Sequence, residues 1–121
     1  MIKFKSLNKS EEFLKVLKNK KLDTKYFVVY FKKNKNNFNK DINKYLNISF
    51  VIKKKVGNAV TRNKIKRKLK SAVQKISKEN QLINLDYTYV IFGKNNVYSD
   101  RFSFVFDEVK HTFKKIKYLE N

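Results

Sequence analysis

Apolar residues recur along this chain with two different periods, and each period predicts one kind of element. Repeats of three or four positions indicate amphipathic helices, whereas runs of aromatic and β-branched residues, or strict alternation, indicate strands. Ile48, Phe50 and Ile52 alternate in this second way and predict a half-buried strand. The predicted order is helix 9–18, strand 26–31, strand 48–52, helix 59–79, strand 86–92 and helix 100–117.

The longest helix, residues 59–79, has two chemically different sides. At about 100° per residue, one stripe is apolar and the opposite side is cationic, with Arg62 at its edge. Asn58 follows Gly57 and is a plausible N-cap, which predicts an anion site at the start of the helix. The apolar stripe comprises Ile65, Leu69, Ala72, Val73 and Ile76, and the opposite side comprises Asn63, Lys66, Arg67 and Lys70.

Polar and small residues mark the boundaries of the other elements. Asn8 or Ser10 is expected to cap the first helix, and Ser99 the last one. The polar stretch 32–44 is expected to be an exposed hairpin loop, and Gly93 to close the last strand.

The composition indicates a basic nucleic-acid-binding protein. The chain has 121 residues, which predicts one domain (1–121), and its 30 Lys and Arg against 10 Asp and Glu give a formal charge of +20. It contains no cysteine, which suits a cytoplasmic protein. Neither a membrane-spanning run nor a signal-peptide pattern is expected.

The residues favour no catalytic centre on this chain. The acids are thinly spread, and the single histidine, His111, is expected to be a surface residue. The sequence contains no glycine-rich phosphate loop, metal-ligand spacing or nucleophile–base set.

The segment 53–70 concentrates the cationic chemistry. It carries nine cationic side chains and no acid, whereas a solvated helix normally mixes signs to avoid self-repulsion. Such repulsion is tolerated where a polyanion neutralises it. The alternative interpretation of this segment is a solvated basic face in a lysine-rich protein.

The same segment resembles the signature of the bacterial ribonuclease P protein component. That signature follows a strand and reads K-K-x-G-x-A-V-x-R-N-x-x-K-R, and Lys54 to Arg67 match it. The similarity extends to Glu12–Leu17, the strand Phe27–Tyr30, and the last strand and helix, so it covers nearly the whole chain.

The resemblance implies an α+β fold of the order αβββαβα, related to the second domain of a small-subunit ribosomal protein. Its mixed four-stranded sheet would have a left-handed βαβ crossover, although right-handed crossovers are the default. The fourth strand would be a short one near Lys20 to Thr24.

The resemblance also implies a function. The chain would be the protein subunit of the ribonucleoprotein that removes 5′ leaders from precursor tRNA, an enzyme whose catalytic centre and Mg²⁺ are held mainly by the RNA subunit. Its partners would be the catalytic RNA and precursor tRNA, with no membrane and no protein partner required. The residues that the motif assigns to RNA binding are Lys54, Lys55, Asn58, Arg62, Asn63, Lys64, Lys66, Arg67 and Lys70.

A second surface is implied for the single-stranded leader. The family holds it in a cleft between the first helix and the sheet, where Phe13, Leu17 and Tyr30 are the matching positions. Aromatic rings suit unpaired bases because stacking does not depend on sequence. From the residues alone, ordinary core packing is the alternative for these positions. Lys64 and Leu17 stand where the family commonly has Arg and Phe, so their contacts are the weakest part of the match.

Two other functions are compatible with the composition. One is a ribosomal or ribosome-assembly protein that binds rRNA without a catalytic role. The other is a non-specific nucleoid or membrane-surface binder, which the charge alone would permit.

Overall fold

The computed structural model describes residues 3–7, 10–34, 45–79 and 83–119. Two of its helices are long and two are short, and one 3₁₀ turn precedes the longest helix. The elements are β1 (Lys3–Lys5), α1 (Ser10–Leu17), β2 (Lys20–Asp23), β3 (Phe27–Lys33), β4 (Tyr45–Val51), the 3₁₀ turn (Lys54–Val56), α2 (Ala59–Glu79), β5 (Tyr87–Gly93), α3 (Asn96–Ser99) and α4 (Phe102–Leu119).

The strands form one mixed sheet in the order β1-β4-β5-β3-β2. β5 lies at its centre, parallel to β4 and antiparallel to β3, so that Ile91 pairs with both Phe50 and Val29. The predicted mixed α+β fold is therefore confirmed. β2 lies where the resemblance places a short fourth strand.

The sheet has one strand more than expected. β1 pairs with β4 in parallel through only three residues, Lys3–Lys5. A single apolar residue between two lysines is too short a segment for an alternating pattern to show. The segment is a strand because it pairs with β4.

The expectation of a hairpin loop at 32–44 was wrong. Lys32 and Lys33 belong to β3, because the ladder with β5 continues to the pair Lys33–Tyr87. β3 and β4 are not neighbours, since β5 lies between them, so the connection joins separated strands. Residues 35–44 lie outside the described residues.

The main core lies between the sheet and the two long helices. Phe27, Val29 and Phe31 alternate along β3 and are at most 2% exposed. The predicted apolar stripe of α2 is confirmed, since all five of its residues are buried. The inner face of α4 also contributes to the core: Val105, Val109, Phe113 and Ile116 are buried, while Phe102 and Phe106 pack at its margin.

Gly93 allows α2 to approach the end of β5. A Cβ atom at this position would lie 2.5 Å from Ile52 Cδ1, 2.8 Å from Leu69 Cδ1 and 2.9 Å from Ile65 Cγ2. These distances are shorter than carbon contacts in a packed interior. The absence of a side chain at Gly93 therefore sets how closely the basic helix lies on the sheet.

The predicted helix caps have different outcomes. Asn58 caps α2 as expected, because its Oδ1 accepts a hydrogen bond from the Thr61 N–H at 2.9 Å. Ser99 does not cap α4, because it is the last residue of the short helix α3 and its Oγ lies 3.5 Å from the Asn96 carbonyl oxygen. Ser10 is the first residue of α1, and Asn8 lies outside the described residues.

Candidate nucleic-acid interface

The outer side of α2 is a continuous cationic surface. Asn63, Lys66, Arg67 and Lys70 are exposed, as their predicted positions opposite the buried stripe require, and Lys64 beside them is exposed as well. Within the described part of the chain, no carboxylate forms an ion pair with a cation of this helix. We refer to these five residues as the cationic face of α2.

The start of α2 extends this surface. Lys54 and Lys55 are exposed on the 3₁₀ turn, and Asn58 is exposed at the N-cap. The first turn of the helix contains no acid, so its positive dipole end is uncompensated by its own side chains.

Arg62 lies at the edge between this surface and the core. It lines a pocket of about 150 Å³ with Ile52, Ala59, Asn63 and Lys66. Its Nε is buried and has no hydrogen-bond partner among the described residues. Because a buried donor without a partner is unfavourable, an anion entering this pocket would satisfy it.

A second surface, with both polar and apolar residues, lies on the face of the sheet opposite α2. We call the side covered by α2 and α4 the α2 face and the opposite side the α1 face. α1 contacts β2, β3 and β5 on its side. Val16 of α1 and Val90 of β5 are both buried, yet neither belongs to the main core, so they form a separate small packing layer.

Three aromatic rings meet beside this layer. Phe92 lies edge-on to Phe13, with ring centroids 6.4 Å apart, and edge-on to Tyr30, with centroids 5.6 Å apart. All three rings are only half-buried, and so is Leu17 on the same helix. Phe13, Tyr30 and Phe92 form what we call the aromatic cluster.

Two lysines adjoin the aromatic cluster. The Lys53 ammonium lies 5.5 Å from the centroid of Phe92, and the Lys21 ammonium lies 5.9 Å from that of Tyr30. Lys53 directly precedes the 3₁₀ turn with Lys54 and Lys55. Cations beside exposed ring faces suit a ligand that has both bases and phosphates.

The structure thus brings the expected residues together in two groups on opposite faces of the sheet. Phe92 and Lys53 are additional members of the α1-face group. Strand alternation was the available signal for Phe92, because it shares a face with Thr88 and Val90. The alternation alone does not indicate that this face carries α1.

Two groups of the described residues, Asp23 and Tyr26, have shifted pKa values and lie outside both surfaces. A hydrogen bond from Lys94 Nζ at 2.6 Å, together with its charge, lowers the pKa of Asp23. Tyr26 donates a hydrogen bond to Asp100 at 2.6 Å, which raises the pKa of Tyr26 to about 12. Both contacts join the β2–β3 turn to the segment that follows β5, so their role is structural.

The described residues contain neither a membrane-spanning helix nor a cluster of metal-binding side chains. None of the described helices is long and apolar enough to cross a membrane. Across residues 3–7, 10–34, 45–79 and 83–119, no three metal-binding side chains of the His, Cys, Asp or Glu type come together.

Comparison with known proteins gives one consistent result. A family model described as Ribonuclease P matches residues 1–117. The ribonuclease P protein component of Carboxydothermus hydrogenoformans is 31% identical over 118 residues, covering 97% of this chain and 95% of that protein. The component of Mycoplasmopsis synoviae is 33% identical over 112 residues, covering 92% and 88% of the two chains.

Solved structures agree with these sequence matches. A mutant of the Staphylococcus aureus RNase P protein superposes with a TM-score of 0.73 at 25% identity, covering 93% of this chain and 87% of that one. The RNase P protein of Thermotoga maritima superposes with a TM-score of 0.66 at 26% identity, covering 92% and 96%.

Proposed function

The chain belongs to the ribonuclease P protein family and is a protein component of ribonuclease P, and we propose that its two surfaces bind two different RNA segments. The cationic face of α2 binds the RNA subunit of the enzyme. The cleft between α1 and the sheet binds the single-stranded 5′ leader of precursor tRNA.

The assignment of α2 to the RNA subunit is supported by its charge and its geometry. Arg62 and Arg67 are two of the three arginines in the chain, and their planar guanidinium groups can contact phosphate through two donors. Lys54, Lys55 and Lys66 extend the cationic surface around the start of the helix. A phosphate at the pocket beside Arg62 would pair its buried Nε.

The leader assignment is carried by one observation, the half-burial of the aromatic cluster. Core residues of this protein are at most a few per cent exposed, whereas Phe13, Leu17, Tyr30 and Phe92 keep part of their surface open. An unpaired base can stack on such a ring while Lys53 or Lys21 contacts the adjacent phosphate. The bases of a leader are unpaired, whereas the bases of the tRNA acceptor stem are paired with each other.

We further propose that the RNA subunit holds the catalytic centre and the Mg²⁺, as the family relationship implies. This chain then contributes binding and orientation: it holds the leader on the α1 face of its sheet and the RNA subunit on the α2 face. Precursor tRNA and the RNA subunit are its partners, and no second protein is required.

The test is binding of precursor tRNA to holoenzymes reconstituted from the RNA subunit and a variant protein. Phe13→Ala and Tyr30→Ala should weaken binding of leader-bearing tRNA by about 5- to 150-fold, which corresponds to the loss of one stacked base. Binding of mature, leaderless tRNA should not change. Reconstitution of 5′ cleavage from these two components alone also tests the partner assignment.

Phe104→Ala is the matched control, because Phe104 is 54% exposed on α4 and lies outside the aromatic cluster. It should bind both tRNAs like the wild type. Equal losses for leader-bearing and leaderless tRNA, together with a large loss of stability, would mean that Phe13 and Tyr30 serve the fold and that the leader lies elsewhere.

A further inference from the structure

A groove separates α2 from the short helix α3 and the start of α4. Its volume is about 700 Å³, which is within the range of small-molecule pockets. The α2 wall contains Lys64, Arg67, Ser71 and Gln74, and the opposite wall contains Tyr98 and Phe102. None of the groove's lining residues is an acid.

A lysine of α2 forms hydrogen bonds to the wall that carries Tyr98. The Lys68 ammonium donates to the main-chain carbonyls of Val97 at 2.7 Å and Asp100 at 2.5 Å. Asp100 is held from its other side by the buried Tyr26. These contacts hold the main chain on both sides of Tyr98, so the segment that carries its ring is anchored to α2.

The aromatic side chains of this wall remain accessible. Tyr98 is 45% exposed, and the Lys64 ammonium lies 5.4 Å from its ring centroid. Phe102 is half-buried and stacks on Phe106, with centroids 6.2 Å apart. The groove therefore combines a ring face with a cation beside it.

The lining groups match the parts of a nucleotide. Lys64 and Arg67 can contact phosphate oxygens, Tyr98 offers a stacking surface, and Ser71 and Gln74 offer donors and acceptors for a base edge. Bases within a duplex are stacked on each other and cannot reach a side-chain ring. The chemistry thus fits an unpaired nucleotide.

We propose that this groove binds one unpaired nucleotide of the RNA subunit of ribonuclease P. This inference rests on the proposed binding of that RNA to the cationic face of α2. Arg67 belongs both to that face and to the groove, so RNA lying on α2 reaches the groove without a break. The leader is excluded as the occupant because the aromatic cluster that would hold it lies on the opposite face of the sheet.

The test measures the affinity of the full-length protein for the RNA subunit over a series of salt concentrations. Tyr98→Ala should weaken binding by about 5- to 150-fold, the loss of one stacked base, while the slope of affinity against salt stays unchanged because no cation is removed. Tyr98→Phe should bind like the wild type, because the stacking ring is retained. Arg67→Ala should lower the slope by about one unit.

Tyr118→Ala is the control for removal of an exposed tyrosine, since Tyr118 is 71% exposed at the end of α4 and does not line the groove. It should leave affinity unchanged. If Tyr98→Ala binds like the wild type while Arg67→Ala is weakened, the groove proposal fails and the α2 assignment stands. If the wild type does not bind the RNA subunit, both fail.

A photo-crosslinking amino acid at position 98 identifies the occupant in the holoenzyme with bound precursor tRNA. A crosslink to an unpaired nucleotide of the RNA subunit is the expected result. A crosslink only to precursor tRNA, or only to a base-paired helix, would overturn the proposal.

Discussion

Tyr26 shows how a single buried residue joins two distant segments. Its ring is 3% exposed, and its hydroxyl donates a 2.6 Å hydrogen bond to Asp100, which lies 74 positions further along the chain. The bond to a carboxylate, reinforced by burial, raises the pKa of Tyr26 to about 12 from an ordinary value of 10.0.

This shift predicts a loss of stability at alkaline pH. The folded protein holds the Tyr26 proton more tightly than the unfolded chain does, so the contribution is fully present below pH 10 and is lost between pH 10 and about 12. In Tyr26→Phe, the dependence of unfolding free energy on pH in this window should become shallower. Ultraviolet titration of the folded wild type should contain a late step from Tyr26, and this step should be missing from the variant. An unchanged titration would contradict the assignment.

Single residues were predicted well where a regular period dictates their environment. The five apolar residues of α2 are buried, and Asn58 caps the helix as expected. Phe92 and Tyr98 were not identified, because their roles depend on which element packs beside them. The sequence pattern of a strand or a short helix does not show which element packs beside it.

At the scale of elements, the contact between α2 and β5 depends on the missing side chain at Gly93. Gly93→Ala should destabilise the protein by about 1–3 kcal/mol, because the new methyl group overlaps Ile52, Ile65 and Leu69 and forces a shift of α2. The measurement is the free energy of unfolding in urea.

Gly57→Ala is the matched control for this substitution. Its Cβ would meet only Thr61, with Cγ2 at 3.0 Å, and the φ of 162° at Gly57 is extended backbone that alanine also adopts. We expect a smaller loss of stability in this variant. Equal losses would indicate that Gly93 is not special for helix–sheet packing.

Element types were predicted more reliably than their pairing. The bounds of α2 and the positions of the long strands follow from periodicity, whereas the expected hairpin between β3 and β4 was wrong. Periodicity describes one strand at a time, and the insertion of β5 between β3 and β4 is decided by tertiary packing. α3 has only four residues, too few for a helical period to show.

The whole molecule carries a formal charge of +20, to which the cationic face of α2 contributes four exposed cations. Such self-repulsion opposes folding and is relieved by bound anions. Sulfate should therefore raise the melting temperature more than chloride does at equal ionic strength, through binding beside Arg62 at the start of α2. Thermal melts in the two salts measure the difference.

A pair of charge-matched variants separates this site from a general salt effect, because sulfate also stabilises proteins by exclusion from their surfaces. Arg62→Gln and Lys117→Gln each remove one cation, and Lys117 is exposed near the end of α4. Only Arg62→Gln should lose part of the sulfate effect. Equal responses of the two variants would place the stabilisation outside the Arg62 pocket.

At this scale, the sequence indicated RNA binding but not the arrangement of the two surfaces. Charge and motif identify the cationic face of α2, and the family resemblance supplies the idea of a leader cleft. That the two lie on opposite faces of one sheet follows only from the fold, because it depends on which side α1 packs.

The central position of β5 also determines when this protein can fold during its synthesis. The ribosome makes β5 last among the strands, yet β5 joins the pair β2–β3 to the pair β1–β4. Phe27 of β3, for example, pairs with Gly93, which is made 66 residues later. Until Gly93 leaves the ribosome, the two halves of the sheet have no strand between them, and α2 has no β5 to lie on. Contacts this distant along the chain form slowly. The nascent chain therefore exposes its basic segment 53–70 to the ribosome, which consists largely of RNA, before the fold that positions this segment exists.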